Sequence, residues 1–363
     1  MSRTLLIIAL TLLISVPLTW FGSQAWMKND GSSFLSPLLE PAKPLPLKAF
    51  AIPTLAEKTY SGEPITISEL LEETPTYSKY LFTINVLGKT MSGQLNVPTS
   101  LLSSTQPVPV IVMIRGYAPP ESYVTGTGTK NAAARLAEAG YVTLAPDFFG
   151  YGESDPEPTD SWQARLEKPQ IMAEIITSLR THGISTSLDA PERTPVTQLG
   201  MWGHSNGGQI ALTTLEVLHQ SIPTTLWAPV TVPFPYSILF FTDENDDEGK
   251  AMRLWLSQFE KDYDVFDFSL TRHLSLLRGP IQLHHGTADE AALKVWSDEF
   301  ALKIEAENEL RAQQAASAST QATAAAEIDF TYYSYPGANH NLQPGWETVV
   351  QRDIAFFDKY LKN

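Results

Sequence analysis

The feature that most constrains this chain is the string Met201-Trp202-Gly203-His204-Ser205-Asn206-Gly207-Gly208, which stands between two segments of different pattern. Residues 196–202 have the β-branched pattern of a strand, and residues from about 206 to 219 have the pattern of a helix. A strand can turn this sharply into a helix only where glycines let the two elements pass without a Cβ clash. The string therefore predicts that Ser205 lies in a strained turn and presents its hydroxyl above a sheet edge.

Serine alone is a weak nucleophile and needs a neighbouring base. His340 lies in the segment Tyr335–Asn341, between the last predicted strand and the last predicted helix, and this loop is expected to reach the same sheet edge as Ser205. The base must in turn be oriented by a carboxylate. Asp289, shortly after a predicted strand, is the expected carboxylate, and Glu290 is its competitor. The chain order serine, acid, histidine is one of the known orders of such a triad.

An acyl-transfer site also needs N–H groups that stabilise an oxyanion. The backbone N–H of Asn206, directly after the serine, is the first predicted donor. The second is expected in the loop Arg115–Pro120 after a buried strand, where the backbone N–H of Tyr117 is the candidate and its hydroxyl a possible substitute. Arg115 is expected to order this loop by pairing with a carboxylate.

Three further histidines stand close to these positions in the sequence. His204 is predicted to point away from the serine hydroxyl and to have a structural role. His284 and His285 end a predicted strand, so one side chain is expected in the core and the other near the site, with neither as the base.

Strands alternate with helices along most of the chain, which predicts a mostly parallel sheet with helices on both faces. Two more strands are predicted within Lys79–Val97, around the turn at Gly88. The predicted strands of the alternating part are 108–114, 141–145, 196–202, 225–228, 281–285 and 328–335, and the predicted helices are 132–139, 162–182, 206–219 and 346–361.

Two segments interrupt the alternation. Residues 229–278 are rich in aromatic residues and are predicted to form a helical cap over the sheet edge. Its apolar part, Phe234–Phe241, suits either a substrate pocket or the core of the cap itself. Residues 305–327 are rich in Ala, Gln and Ser, and are predicted to extend the preceding helix before becoming a surface loop.

Composition excludes several classes of function. The formal net charge of −15 argues against a nucleic-acid partner, because phosphate recognition needs basic patches. The chain has no cysteine, which excludes a thiol nucleophile, a thiolate zinc site and any disulfide. No metal and no cofactor are expected, and the expected partner is a small ester or a short peptide. The sequence leaves the oligomeric state open.

The N-terminus has the pattern of an export segment. Residues 5–21 are almost wholly apolar and follow Arg3, and small residues stand at Ser23 and Ala25. This predicts a signal peptide over residues 1–25, cleaved after Ala25, or alternatively an uncleaved membrane anchor. Residues 26–74 are interpreted as a linker or arm. The protein is therefore expected to be secreted, periplasmic or anchored facing outward.

Taken together, these motifs resemble the α/β-hydrolase superfamily over residues 75–363. The strings Met-Trp-Gly-His-Ser-x-Gly-Gly and Tyr-Pro-Gly-Ala-x-His are most similar to the catalytic domain of the prolyl oligopeptidase family and its dienelactone-hydrolase-like relatives. The resemblance implies the α/β-hydrolase fold and a triad of Ser205, Asp289 and His340. Oligopeptidases also carry a large β-propeller, for which the residues before Val108 leave no room.

The function predicted from the sequence is an exported serine hydrolase that cleaves esters, or less favourably amides, through an acyl-enzyme. One alternative keeps the mechanism and takes short peptides as substrates. Another alternative is a non-catalytic binding protein with a hydrolase-like fold, although all three triad positions are filled. The fold alone does not decide among these functions.

Overall fold

The computed structural model describes residues 43–102, 104–190, 192–243, 246–317 and 325–362. The chain divides into two compact units, residues 1–46 and residues 47–363. The apolar segment 5–21, the predicted cleavage site after Ala25 and the arm up to residue 42 lie outside the described residues. Within the described ranges, no helix has both the length and the apolar character needed to cross a membrane.

The described residues of the second unit form one nine-stranded sheet in the order β1-β2-β3-β5-β4-β6-β7-β8-β9. Strands β4 to β9 run parallel to one another, and β1, β2 and β3 join them as an antiparallel meander that pairs with β5. The mostly parallel sheet expected from the sequence is thus confirmed. The strands are β1 Thr66–Glu73, β2 Tyr77–Val86, β3 Lys89–Pro98, β4 Pro109–Ile114, β5 Val142–Pro146, β6 Gln198–His204, β7 Thr224–Trp227, β8 Ile281–Gly286 and β9 Phe330–Tyr335.

Helices cover both faces of this sheet. Apolar side chains of α4 and α5 pack on one face, and those of α2 and α9 pack on the other. Because both faces are covered, the central strand β4 is apolar and buried almost throughout. The α-helices of the described residues are α1 Ile52–Ala56, α2 Lys130–Glu138, α3 Ser161–Leu166, α4 Lys168–His182, α5 Asn206–Leu218, α6 Ser237–Phe240, α7 Lys250–Asp262, α8 Lys294–Ser317 and α9 Trp346–Leu361.

The single helix expected over residues 162–182 is in fact two helices, α3 and α4, which meet at Glu167. Pro169 stands in the first turn of α4. Proline has no N–H to continue a helix but is well suited to begin one, so the break falls just before it.

The unit that contains the sheet begins at residue 47, so the predicted boundary at residue 75 is too late. Within the predicted arm, the side chains of Leu55 and Ile65 are fully buried, and β1 pairs with β2 at the edge of the sheet. Because this region is rich in Pro and Lys, its few well-spaced apolar residues did not lead us to predict a folded segment. Their burial is enough to fix the segment to the domain.

Both predicted interruptions contain the helices expected of them. The segment 229–278 contains α6 and α7, as expected, and Ile238 packs in one apolar cluster with Trp162 and Phe259. Part of the Phe234–Phe241 run therefore forms the core of the cap. Helix α8 extends into the low-complexity segment as predicted, as far as Ser317, and residues 318–324 lie outside the described residues.

Candidate active site

The backbone of Ser205 lies in the strained turn that the sequence predicts. Its φ is 57° and its ψ is −124°, a conformation that non-glycine residues rarely adopt. A Cβ on Gly203 would lie 2.7 Å from the carbonyl oxygen of Gly207, and one on Gly207 would lie 2.0 Å from that of Ile114. Only glycine fits at either position, so the two glycines are what allow β6 to turn into α5 at this point.

The predicted oxyanion loop lies directly against the serine. A Cβ on Gly116 would lie 2.9 Å from the Cβ and 3.4 Å from the Oγ of Ser205. In the described part of the chain, the backbone N–H groups of Tyr117 and Asn206 make no hydrogen bond. Both predicted donors are thus free to bind an oxygen atom next to the serine. The side chain of Tyr117 points into solvent, and the residue is 78% exposed.

Arg115 orders this loop, but not by pairing with a carboxylate as expected. Its guanidinium donates to the carbonyl oxygens of Gly116, at 2.9 Å, and Asp147, at 2.8 Å. The guanidinium carbon also lies 4.0 Å from the ring centroid of Tyr151. Carbonyl oxygens and an aromatic face therefore hold Arg115, and the carboxylate of Asp147 accepts instead from Tyr123, Thr125 and Ser92.

The structure brings the predicted base and the predicted acid together. Nδ1 of His340 lies 2.9 Å from Oδ2 and 3.1 Å from Oδ1 of Asp289. The carboxylate also accepts hydrogen bonds from the backbone N–H groups of Ala291 and Ala292, each at 2.9 Å. Glu290, the competing acid, is exposed and makes no hydrogen bond or ion pair with His340 among the described residues.

Burial by itself would raise the pKa of Asp289. Hydrogen bonds from His285, His340 and the backbone N–H of Ala292 outweigh that cost and hold the pKa well below its usual range. The carboxylate is therefore charged at neutral pH. It can fix Nδ1 of His340 as the protonated nitrogen, which leaves Nε2 as the acceptor.

The other ring nitrogen of His340 is open. In the described part of the chain neither Nε2 of His340 nor Oγ of Ser205 has a hydrogen-bond partner. Catalytic hydrogen bonds of this kind are often long in an unliganded enzyme and shorten in the substrate complex. The side chain of His340 is 22% exposed, so solvent and a small substrate can reach it.

His204 supports the loop that carries the base. Its Nε2 donates to the backbone carbonyl oxygen of His340 at 3.0 Å, and the two ring centroids are 4.7 Å apart. Burial, together with the neighbouring His340, lowers the pKa of His204 to about 4. The side chain is thus neutral at pH 7 and holds the loop in place, in agreement with the structural role predicted for it.

Of the two adjacent histidines, one of which was expected near the site, His285 is the one that lies there, although the sequence did not assign it a contact with Asp289. His285 is fully buried, and its Nε2 lies 3.1 Å from Oδ2 of Asp289 and 2.8 Å from the carbonyl oxygen of Ala292. Its Nδ1 accepts from the hydroxyl of Ser297 at 2.7 Å. Two histidines therefore hold the same carboxylate. The spacing of four residues between His285 and Asp289 was visible in the sequence, but the turn that closes the contact was not.

A strained serine, free N–H donors beside it and a histidine held by a buried carboxylate are the groups that acyl transfer requires. The fold and this site together define the α/β-hydrolase class. The sequence profile of the dienelactone hydrolase family matches residues 97–225, a segment that includes Ser205 but neither Asp289 nor His340. Fold and profile place the chain in the α/β-hydrolase superfamily and support hydrolase activity. No curated protein matches the chain significantly.

Solved structures share the fold at low sequence identity. Acetyl xylan esterase 1 from Thermoanaerobacterium sp. JW/SL YS485 has a TM-score of 0.54 at 13% identity, over 85% of this chain and 94% of that chain. A puromycin-hydrolyzing peptidase from Mycobacterium tuberculosis has a TM-score of 0.55 at 15% identity, over 80% of this chain and 40% of that chain. Dipeptidyl peptidase 4 from Porphyromonas gingivalis has a TM-score of 0.50 at 18% identity, over 84% of this chain and 36% of that chain.

Proposed function

We propose that the protein is an exported serine hydrolase that cleaves esters through an acyl-enzyme on Ser205. The observation that carries the proposal is the contact of His340 with a buried, charged Asp289, at the same sheet edge as a serine in a strained turn. A carboxylate on one ring nitrogen and an open second nitrogen are what a histidine needs to act as a general base.

In the proposed mechanism, Nε2 of His340 takes the proton of the Ser205 hydroxyl as the oxygen attacks the ester carbonyl. The negative charge that develops on the carbonyl oxygen is stabilised by the N–H groups of Asn206 and Tyr117. His340 then gives its proton to the departing alcohol. Water attacks the acyl-enzyme by the same route in reverse, which releases the acid and restores the serine. Asp289 stays charged throughout and stabilises the imidazolium.

A peptidase acting on short peptides is the second candidate, because peptidases stand beside esterases among the proteins that share this fold. The same triad can cleave either bond. Esters need less leaving-group activation, and the open, partly exposed His340 suits a small substrate. Faster turnover of p-nitrophenyl esters than of matched aminoacyl p-nitroanilides supports the esterase, and the reverse order supports the peptidase.

Export remains part of the proposal and rests on the sequence pattern of residues 1–25. N-terminal sequencing of the protein from its native host tests it. A chain that begins at Trp26 supports a cleaved signal peptide, whereas a retained Met1 in the membrane fraction supports an anchor. A retained Met1 in the cytosolic fraction contradicts export.

The decisive experiment on the chemistry is covalent labelling with a fluorophosphonate, followed by intact-mass analysis and peptide mapping. We expect one phosphonyl group per chain, at Ser205, in the wild type and none in Ser205→Ala. Labelling also reports on His340 and the oxyanion donors, because an unactivated serine does not react at a useful rate. A folded wild type that takes up no label would contradict the proposal and favour the non-catalytic binding protein.

A further inference from the structure

The peptide group between Gly116 and Tyr117 carries the second predicted oxyanion donor, and a charged side chain holds its other end. Nη1 of Arg115 donates to the carbonyl oxygen of Gly116 at 2.9 Å. The peptide bond is trans, so its C=O and N–H groups point in opposite directions. Holding the oxygen therefore fixes the direction of the Tyr117 N–H. A charged donor on a carbonyl oxygen also polarises the peptide group, which strengthens its N–H as a hydrogen-bond donor.

Arg115 is buried without the partner that a buried charge usually has. It is 6% exposed, and it makes no ion pair with a carboxylate among the described residues. Its Nε is buried and has no hydrogen-bond partner in the same part of the chain. Such a charge is costly to bury, and an uncharged side chain could fill the same space. The role of the guanidinium therefore lies in what it binds, which is the carbonyl oxygens of Gly116 and Asp147.

Tyr151 holds the same loop at two further points. The centroid of its ring lies 4.0 Å from the guanidinium carbon of Arg115, and its hydroxyl donates to the carbonyl oxygen of Ala118 at 3.1 Å. Burial raises the pKa of Tyr151 above its ordinary value, so the hydroxyl remains a donor at neutral pH. Arg115 thus binds the loop on one side of Tyr117, and Tyr151 binds it on the other side.

A buried network supports these two side chains. The ring of Tyr123 lies 4.7 Å from the guanidinium carbon of Arg115 and meets the ring of Tyr151 edge-on, with 4.9 Å between the centroids. The hydroxyl of Tyr123 donates to the carboxylate of Asp147 at 2.7 Å, and Asp147 is fully buried. The backbone carbonyl oxygen of Asp147 accepts from Arg115 at 2.8 Å. The guanidinium is therefore held from several sides, which fixes its contact with the loop.

We propose that Arg115 and Tyr151 are positioning residues for the oxyanion hole formed by the N–H groups of Tyr117 and Asn206, and that Arg115 also strengthens the Tyr117 donor. This inference rests on the proposed function, because an oxyanion forms only if Ser205 attacks a carbonyl group. The contribution of both side chains grows as negative charge develops on the carbonyl oxygen. They should therefore raise kcat and leave KM almost unchanged.

Two substitutions test these roles in the hydrolysis of a p-nitrophenyl ester by the full chain. Tyr151→Phe keeps the ring against Arg115 and removes only the hydroxyl, and we expect kcat to fall about tenfold at an unchanged KM. Arg115→Lys keeps the charge but loses the planar fork that holds two carbonyl oxygens, and we expect kcat to fall about a hundredfold.

Tyr60→Phe is the matched control. The hydroxyl of Tyr60 also donates to a backbone carbonyl oxygen, that of Leu55 at 2.8 Å. Its ring packs beside Val217, at the end of α5 that is remote from Ser205. This variant therefore loses the same kind of hydrogen bond without a change near the oxyanion hole, and its kcat should equal that of the wild type.

A trifluoromethyl ketone labelled with ¹³C at the carbonyl carbon measures the oxyanion hole directly. The oxygen of Ser205 adds to the carbonyl carbon, its proton passes to Nε2 of His340, and the carbonyl oxygen becomes the anion of a hemiketal. The NMR shift of the labelled carbon reports the pH at which this oxygen is protonated. A weaker hole raises that pH. We expect a rise of about one unit in Tyr151→Phe and about two units in Arg115→Lys, matching the tenfold and hundredfold losses of kcat.

The outcomes separate this inference from the proposed function. A wild type that neither takes up the fluorophosphonate nor forms the hemiketal contradicts the proposed function and, with it, this inference. A wild type that reacts, while both variants match it in kcat and in the protonation of the hemiketal, overturns this inference alone. A lower kcat at an unchanged protonation pH also overturns it, because the two residues would then act only on the fold. Tyr151→Phe keeps the test decisive if Arg115→Lys fails to fold, since it removes a single oxygen atom.

Discussion

Two Asp–His pairs lie near the carboxyl end of the same sheet, and only one of them is open to chemistry. Asp353 holds Nε2 of His284 at 3.0 Å, and Asp289 holds Nδ1 of His340 at 2.9 Å. In the first pair both side chains are almost fully buried, and the second nitrogen of His284 contacts the hydroxyl of Tyr335 at 2.7 Å. In the second pair Nε2 of His340 is open.

The comparison shows that a carboxylate beside a histidine does not by itself make a base. Asp353 also accepts from the indole of Trp227 at 2.7 Å, so the first pair ties β7, β8 and α9 together. His340 stands instead on a loop after β9, where one nitrogen is fixed and the other meets solvent. A histidine can act as a base only if the proton to be removed can reach its free nitrogen. This access, rather than the presence of an Asp–His pair, distinguishes the catalytic pair from the structural one.

The largest effect is expected from the histidines of the two pairs. His340→Ala should lower kcat by about 10⁶-fold, because the serine loses its base. His284→Gln should lower the free energy of unfolding by about 1–3 kcal/mol and leave kcat within a few-fold. Ester hydrolysis and urea unfolding measure the two quantities on the same samples. A folded His284→Gln protein that is as inactive as His340→Ala would contradict the distinction between a catalytic and a structural Asp–His pair.

Substitution of the two aspartates should show the same difference between the pairs, with a smaller loss of kcat than for the histidines. Asp289→Asn is expected to lower kcat about 10⁴-fold, since an amide can no longer fix the tautomer or stabilise the imidazolium of His340. Asp353→Asn should chiefly destabilise the fold, because it removes the charge that pairs with His284 in the core. Equal losses of kcat in the two variants at matched stability would argue that both pairs take part in catalysis.

His285 tests whether the second histidine on Asp289 positions the triad. His285→Phe should lower kcat about tenfold to a hundredfold with little change in KM, since a small displacement of a catalytic group has this effect. Losing one donor raises the pKa of Asp289 and strengthens its hold on protonated His340. In His285→Phe, the pH below which kcat/KM falls should therefore be higher than in the wild type. His285→Gln, which restores a donor, should recover part of both effects; an unmoved pH profile would reduce His285 to a packing residue.

The last effect is one on stability rather than on rate, and it concerns the support of the catalytic loop. Burial, together with His340, lowers the pKa of His204 to about 4, below the value of about 6.5 in an unfolded chain. Folding therefore favours the neutral form. The stabilisation is fully present above about pH 6.5 and falls by about 3 kcal/mol as the pH approaches 4. Urea unfolding at several pH values should show this loss in the wild type and not in His204→Gln; parallel curves would contradict it.

Much of the fold was predictable because its elements have clear local patterns. The turn between β2 and β3, the buried strand β4 and the helix after Ser205 follow from β-branched runs, glycines and helical spacing. The predicted start of the domain at residue 75 was too late, because Leu55 and Ile65 are buried against surfaces that other parts of the chain provide. The break between α3 and α4 was missed although Pro169 marks it.

The sequence by itself determined which side chains could act, since Ser205, Asp289 and His340 are named by a local motif and by their order along the chain. Only the tertiary structure decided which neighbours hold them. His284 and His285 are adjacent in β8 and point to opposite faces, so they reach different carboxylates. Local pattern encodes residue identity and backbone turns, whereas contacts between distant segments arise from packing.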